Sequence, residues 1–474
     1  MPKEKSKWIA LIVLLSAPLL SVIDVFIINV AIPSIKRGVN ATDGQVQLVI
    51  AGYLLGYAVF LITGGRAGDH FGRKKVFFWG MFGFTLMSCL CGLSQTPLQL
   101  NITRFLQGCS ASFMVPQAIA YIQILFTDIK ERAKAIGWFG ITLGIASIIG
   151  QVLGGYLSDT HFAIAGWRLI FFINLPIGIA ALWATARYLD ETEKNASRKF
   201  DYSGVLLLTV ALVSLIYPLI EGREAGWPLW SITLLILSGA LFVWFFYDQK
   251  QKLQQQKDPL MHIDLFKIKD FRIGIIAALF HFMAHTSFLL VIAVYLQNGL
   301  GISALDAGLY FILPGTLFTL SSMLSIKLVV RYGKRVLQAG VVLLVLTFSL
   351  QIWLFKPHVN GWYIFLLLGI YGFGNGLVLP SLLNIALKSV PPKFAGAAAG
   401  VYSTFQQTAS ALGVSIIGGI FYFFASAVNY QNAFFYGVAA IIACLCVVSL
   451  LLYLLPDNRA KQQRASVELQ HLEA

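Results

Sequence analysis

Charge is what this sequence has least of. Only 12% of its 474 residues are charged and 58% are hydrophobic, whereas a soluble domain carries about one quarter charged residues. So little charge cannot cover a water-soluble body of this length, and lipid must solvate much of its surface. Cysteine is also sparse. Cys89, Cys91, Cys109, Cys444 and Cys446 all fall in apolar runs and read as small packing residues, with neither a metal-ligand spacing nor a disulfide framework. Long hydrophilic stretches are missing too. The longest, 248–272, includes the run 249–257 and reads as a linker, too short for a soluble catalytic domain. No nucleophile–base constellation or cofactor loop is visible, which excludes the common enzyme classes. The N-terminal Lys3, Lys5 and Lys7 precede an apolar stretch over 8–32. That stretch is too long for a signal-peptide core and has no small-residue cleavage site, so it reads as a retained first membrane helix.

What is present is a series of apolar runs. A spanning helix needs about 20 mainly apolar residues. The runs predict fourteen: 8–32, 46–66, 76–94, 98–126, 134–158, 167–188, 202–220, 229–247, 273–297, 304–330, 335–355, 361–388, 395–424 and 432–455. With the N-terminus placed in the cytoplasm, 29 of the 35 Lys and Arg fall on that side, and five, Lys36, Arg37, Arg168, Arg223 and Lys356, on the other. The positive-inside rule then puts both termini in the cytoplasm. Trp227, Trp230 and Trp362 fall at outer span ends, where interface anchors belong. The net charge of +14 is scattered over many short loops, which argues against nucleic acid as a partner.

An internal repeat organises the spans. Gly72-Arg73-Lys74 is echoed by Gly333-Lys334-Arg335 at an offset of 261. Gly108 and Pro116 match Gly372 and Pro380, and Gly154-Gly155 match Gly418-Gly419, both at 264. The chain divides into a six-helix bundle (1–190), two inserted helices (191–250), a cytoplasmic linker (251–272), a second six-helix bundle (273–456) and a cytoplasmic tail (457–474). Repeated halves around a midplane site are a transporter architecture.

Four motifs resemble the major facilitator superfamily, and within it the fourteen-helix drug–proton antiporter branch. They are the acidic first-helix run Asp24–Pro33; the loop Gly65–Lys75 with Asp69, Gly72 and Arg73; Arg104-Phe105-Leu106-Gln107-Gly108; and Trp167-Arg168 followed by Phe172, Asn174, Pro176, Ile177 and Gly178. The resemblance implies an all-α integral membrane protein of the major facilitator fold. It implies proton-coupled export of amphipathic or cationic organic compounds across a bacterial inner membrane, by alternating access. It implies no cofactor beyond protons as coupling ion, and a small-molecule substrate and the lipid bilayer as partners. A monomer is expected. The fifth-helix motif departs from the branch: Gly150, Gln151, Gly154 and Gly155 carry Gln151 where a proline is usual.

Among the 21 acidic residues only Asp24 falls deep in a predicted span. A charge there costs roughly 2.5–3.5 kcal/mol, so it faces a cavity or a partner. A carboxylate balanced between desolvation and a nearby cation can load and release a proton. The plainer reading is a brace on the first helix. Asp24 lies about 8 residues from the outer end of its span and Arg104 about 6 from the start of its own, roughly 12 and 9 Å deep. Equal depth makes Arg104 the natural partner, directly or through water or substrate, and the resemblance associates this arginine with proton coupling. A packing arginine bonded to helix carbonyls is the alternative. The resemblance makes Asp69 and Arg73 a state-dependent cytoplasmic lock; a basic loop that only sets topology is the alternative.

In the second half the mid-depth polar residues are His281, His285, Asn375, Gln406 and Gln407, candidates for substrate contact or for helix–helix hydrogen bonding. His281 and His285 share a helix face, but no third metal ligand lies near, and no metal is expected. Tyr53 and Tyr57 add a candidate aromatic wall, with plain packing as the alternative. Two further functions stay open: an exporter or symporter of one metabolite or lipid-like molecule, and a non-transporting scaffold or sensor.

Overall fold

The computed structural model describes residues 4–160, 164–192, 200–391 and 394–455, without the side chains of 4–6, 129 and 330. The proposed tail at 457–474 lies outside the described residues. Among the described residues fourteen spans are long and apolar enough to cross a membrane. They are α1 (Glu4–Gly38), α2 (Asp43–Phe71), α3 (Arg73–Leu93), α4 (Pro97–Leu125), α5 (Ile129–Asp159), α6 (Gly166–Phe172 and Asn174–Tyr188), α7 (Tyr202–Gly222) and α8 (Leu229–Gln254), followed by α9 (Lys269–Gly299), α10 (Ala304–Leu309 and Ile312–Tyr332), α11 (Arg335–Leu354), α12 (Gly361–Leu387), α13 (Ala395–Ala427) and α14 (Tyr430–Leu454).

The few polar residues between apolar runs sit where helices begin. Thr42, Thr96, Asp128, Asp201, Ser303, Asn360 and Asn429 each accept from a backbone amide of the first turn, which satisfies donors that a helix start leaves free. Large apolar side chains such as Trp79, Trp183, Val243 and Trp353 point outward, as a lipid-solvated surface requires.

Several helices outrun their apolar cores. Hydropathy marks the lipid-embedded part, while the backbone ladder continues beyond it. Expected to end at 247, α8 runs to Gln254, because Lys252 pairs with Asp248 one turn earlier and with Asp201 at 2.5 Å. The linker that follows holds a short 3₁₀ turn, Ile263–Lys267. The break in α6 falls at Ile173, three residues before Pro176. Proline has no N–H for the Phe172 carbonyl and crowds it.

The repeat is visible in the packing. In the first half α2 crosses α4 so closely that a Cβ on Gly108 would stand 2.0 Å from the Tyr53 carbonyl oxygen. In the second, a Cβ on Gly372 would stand 2.1 Å from the Pro314 carbonyl oxygen of α10. The inserted pair lies against α2 and α13 through α7, on which α8 packs. Between α7 and α8, Glu224 accepts at 2.5 Å from both the Thr42 hydroxyl and the Gly44 amide at the start of α2.

The halves meet along α2–α13, α5–α10 and α1–α9, and the contact is uneven. At the face carrying few basic residues, the Leu305 amide donates to Asp159 at 2.9 Å and Gln297 donates to the Val30 carbonyl at 2.8 Å. Gly155 of α5 lies against Ala304 of α10 and Gly144 against Thr319. Toward the basic face the α5 glycines Gly137 and Gly140 meet open space, as does Gly396 of α13. Along α5–α10 the halves touch at the sparsely charged face and not at Gly137 or Gly140, while α2 and α13 stay in contact toward the basic face at Gly400–Ile62.

Candidate functional site

Asp24 is fully buried on α1, and Arg104 of α4 is 1% exposed. They pair directly, Arg104 Nη1 to Asp24 Oδ2 at 2.5 Å. The same nitrogen donates to Gln107 Oε1 at 2.8 Å, and Arg104 Nε donates to the Val49 carbonyl at 3.0 Å. Asp24 Oδ1 accepts from Gln107 Nε2 at 2.8 Å and from Asn174 Nδ2 at 3.0 Å. Asn174 also donates to Ser88, which donates to the Phe171 carbonyl. A buried ion pair is tolerable only when its other lone pairs and protons are bonded, and four helices share that task here. The break at Ile173 places Asn174 at the start of a helical piece.

Tyr53, one of the proposed aromatic wall residues, belongs to this charge network. It is buried, its ring lies 4.5 Å from the Arg104 guanidinium carbon, and its hydroxyl is 2.9 Å from Ser21 Oγ. Tyr57 touches Tyr53 edge-on at 6.3 Å. On α5, Gly150 and Gly154 lie against the Ile23 and Ile27 carbonyls of α1, flanking Asp24. Gln151 is buried, its backbone carbonyl oxygen meets Gly308 of α10, and its side-chain Oε1 has no hydrogen-bond partner among the described residues. The fifth-helix residues therefore join the charge network to the seam between the halves.

Asp69 and Arg73 form an ion pair across the α2–α3 turn. Asp69 sits in the last turn of α2, in the helix and not in the loop. Gly72 makes the turn at φ 99°, and a Cβ there would meet the Glu191 carboxylate at 2.5 Å; only glycine takes this backbone without strain. Arg73 also reaches Gln117 at 3.5 Å, and its amide donates to Thr192 at 3.1 Å. These contacts all stay within the first half and the segment after it. Gly65, a helical turn earlier, meets open space.

In the second half His281 of α9 bonds Asn375 of α12 at 3.0 Å, and Asn375 donates to the Tyr371 carbonyl at 3.1 Å. Tyr371 Oη lies 2.9 Å from His285 Nδ1, with the rings parallel. An offset of 261 carries Asp24 to His285, and 264 carries Gln107 to Tyr371. The Tyr371–His285 bond joins α12 to α9 as the Gln107–Asp24 bond joins α4 to α1. Gln406 and Gln407 of α13 are partly exposed and make no hydrogen bond among the described residues.

Sequence reasoning brought Asp24 and Arg104 together by depth. It named Gln107 and Asn174 only as motif residues, without a role, and passed over Ser88 and Tyr371. Gln107 lies three residues after Arg104 and Tyr371 four before Asn375, so each shares a helix face with a residue already singled out.

A membrane body of two repeated six-helix halves around a sparse buried polar centre defines a secondary transporter. Comparison with known proteins agrees. The sequence profile of the Major Facilitator Superfamily matches residues 14–414. The chain is 33% identical over 430 residues to a probable actinorhodin transporter of Streptomyces coelicolor, covering 89% of this chain and 73% of that one. It is 32% identical over 403 residues to the multidrug resistance protein Stp of Mycobacterium tuberculosis, covering 84% and 73%. In fold it resembles a bacterial homolog of the lysosomal transporter Spinster, solved inward-facing and occupied, with a TM-score of 0.67 at 15% identity and coverage of 95% and 97%. The chain belongs to the Major Facilitator Superfamily and is a multi-pass membrane transporter.

Proposed function

We propose that this transporter exports amphipathic, drug-sized organic compounds in exchange for protons, with its basic face and both termini in the cytoplasm of a bacterial cell, working as a monomer. The Asp24–Arg104 pair carries the reading. Asp24 is the sole described carboxylate near the middle of a span, and it is bonded directly to a buried arginine. Protonating Asp24 removes the charge that Arg104 balances, so the two protonation states favour different packings of α1 against α4. Because α5 touches α1 beside Asp24 and α10 across the seam, that change reaches the surface on which the halves rock. The relatives named for actinorhodin and multidrug resistance support a drug-like cargo.

A charge crossing the membrane gains about 2.3 kcal/mol per 100 mV, enough for tens-fold accumulation. In this scheme the substrate loads from the basic face, and the Asp69–Arg73 element is the lock of the state in which that face is closed. The test is flux of a fluorescent substrate in proteoliposomes with and without a pH gradient. Export requires transport that follows the gradient and stops with a protonophore; gradient-independent flux overturns proton coupling, and no flux from any compound favours a scaffold or sensor.

A further inference from the structure

The two seams between the halves are built differently at the sparsely charged face. On the α5–α10 seam, the Leu305 amide at the start of α10 donates to Asp159 of α5 at 2.9 Å, and Gly155 of α5 lies against the Ala304 carbonyl. The repeat offsets carry these residues to the α2–α13 seam. At 261, the offset of α10 from α2, Leu305 answers to Gly44 and the capping Ser303 to Thr42. At 264, the offset of Gly418-Gly419 from Gly154-Gly155, Asp159 answers to Phe423 and Gly155 to Gly419. A phenylalanine ring offers no carboxylate to an amide, so α13 lacks the group with which α5 holds its neighbour. Gln47 of α2 lies beside Gly418, and the buried side chains of Gln47 and of Tyr422 on α13 make no hydrogen bond among the described residues.

The inserted pair supplies what α13 lacks. Glu224 stands between α7 and α8 and accepts from the Gly44 amide and the Thr42 hydroxyl, both at 2.5 Å. A carboxylate on first-turn donors is a charge-assisted cap that the helix dipole favours. Its neighbour Arg223 reaches the other half: a Cβ on Gly419 would stand 3.2 Å from Arg223 Nε and 3.3 Å from its Cδ. The place that the α10 backbone takes against Gly155 is thus taken by Arg223 against Gly419. The turn carrying both side chains is internally braced. The Ala225 amide donates to the Glu221 carbonyl at 3.0 Å and the Trp227 amide to the Gly222 carbonyl at 2.7 Å, and Gly222 packs on Ser231 of α8. The two attachments differ in kind. Glu224 is hydrogen-bonded to α2, whereas Arg223 meets α13 by packing, its Nε and Nη2 having no hydrogen-bond partner among the described residues.

We propose that Arg223 and Glu224 form the gate of the α2–α13 seam at the sparsely charged face: Glu224 fixes the inserted pair to α2, and opening of this face lifts Arg223 off Gly419. This rests on alternating access in the export reading and gives the two inserted helices a part in it. The test measures distances between spin labels on the full chain in lipid nanodiscs, without substrate and with the native cysteines replaced. Arg37→Cys with Ala427→Cys reads the sparsely charged face, and Ile136→Cys with Ile326→Cys reads the basic one. Arg223→Ala and Glu224→Ala are each expected to raise the long-distance fraction of the first pair at least twofold and to shorten the second pair in step. Mere loosening of the inserted helices would not produce that reciprocity. The double variant should go no further than the stronger single one, since both act through one device. Arg223→Lys, which keeps a charged aliphatic stem to lay on Gly419, should stay near the parent chain, and thermal melting verifies that each variant is folded. Unchanged distances in the folded alanine variants, a first pair that lengthens while the second stays fixed, additive effects in the double variant, or Arg223→Lys opening as far as Arg223→Ala overturns the gate. Flux in proteoliposomes separates this from the export reading: absence of transport by the parent chain overturns export alone, because the distances are read without substrate, and transport with unchanged distances in the variants overturns the gate alone.

Discussion

Neutralising Asp24 alone leaves the Arg104 charge buried without its partner, so Asp24→Asn is expected to cost on the order of 3–5 kcal/mol of stability. Asp24→Asn with Arg104→Gln removes both charges and should recover most of that loss, read as the melting temperature in detergent. If the double variant melts no higher than the single one, the pair is not what holds α1 to α4. A second residue, outside the membrane, carries a pH signature. Asp201 caps α7. Burial raises its carboxyl, but hydrogen bonds from Lys252, Gln249 and the Gly204 and Leu260 amides outweigh that and hold it below its ordinary value. A carboxyl depressed in the fold stabilises above its unfolded value of about 3.9 and loses that contribution as pH falls through the folded value. The gap in melting temperature between the protein and Asp201→Asn should stay constant from about pH 8 to 5 and shrink below about 4. At this scale the sequence was readable where depth alone decides, as for Asp24 and Arg104. It was less so where a partner is delivered by a helix break, as Asn174 is by Pro176.

Between elements, contact distance decides what a position tolerates. A Cβ on Gly154 would stand 2.4 Å from the Ile27 carbonyl of α1, whereas one on Gly140 meets nothing within 4 Å. Gly154→Ala is expected to destabilise by about 1–3 kcal/mol, as overpacking does, and to slow transport. Gly140→Ala, on the same helix, should be neutral or slightly stabilising because alanine favours helix. Equal effects on melting would show that the α1–α5 contact is looser than described. All fourteen helices were legible as apolar runs, since lipid demands length and hydropathy of each. Their ends were not: α8 continues to Gln254 through charged and amide residues, held by the Asp201 network that hydropathy does not register. The repeat offsets were also legible, and the packing bears them out where Gly108 and Gly372 each lie against a carbonyl of the neighbouring helix.

For the whole molecule, the uneven seam is a statement about state. Spin labels at Ile136→Cys and Ile326→Cys, in a chain whose native cysteines are replaced, would report the separation of α5 and α10 at the basic face. That distance should shorten when the opposite face opens, and an unchanged distance under all conditions would rule out rocking of the halves. Which face holds the halves together was not readable from hydropathy, because it depends on contacts between distant segments such as Gln297 with Val30.

The most direct test of the account is substrate-induced proton movement across proteoliposomes, compared between the wild-type protein and the folded Asp24→Asn/Arg104→Gln variant. The account predicts that substrate drives proton movement in the wild type and none in the variant, even where the variant still binds substrate. Equal proton movement in both would contradict it.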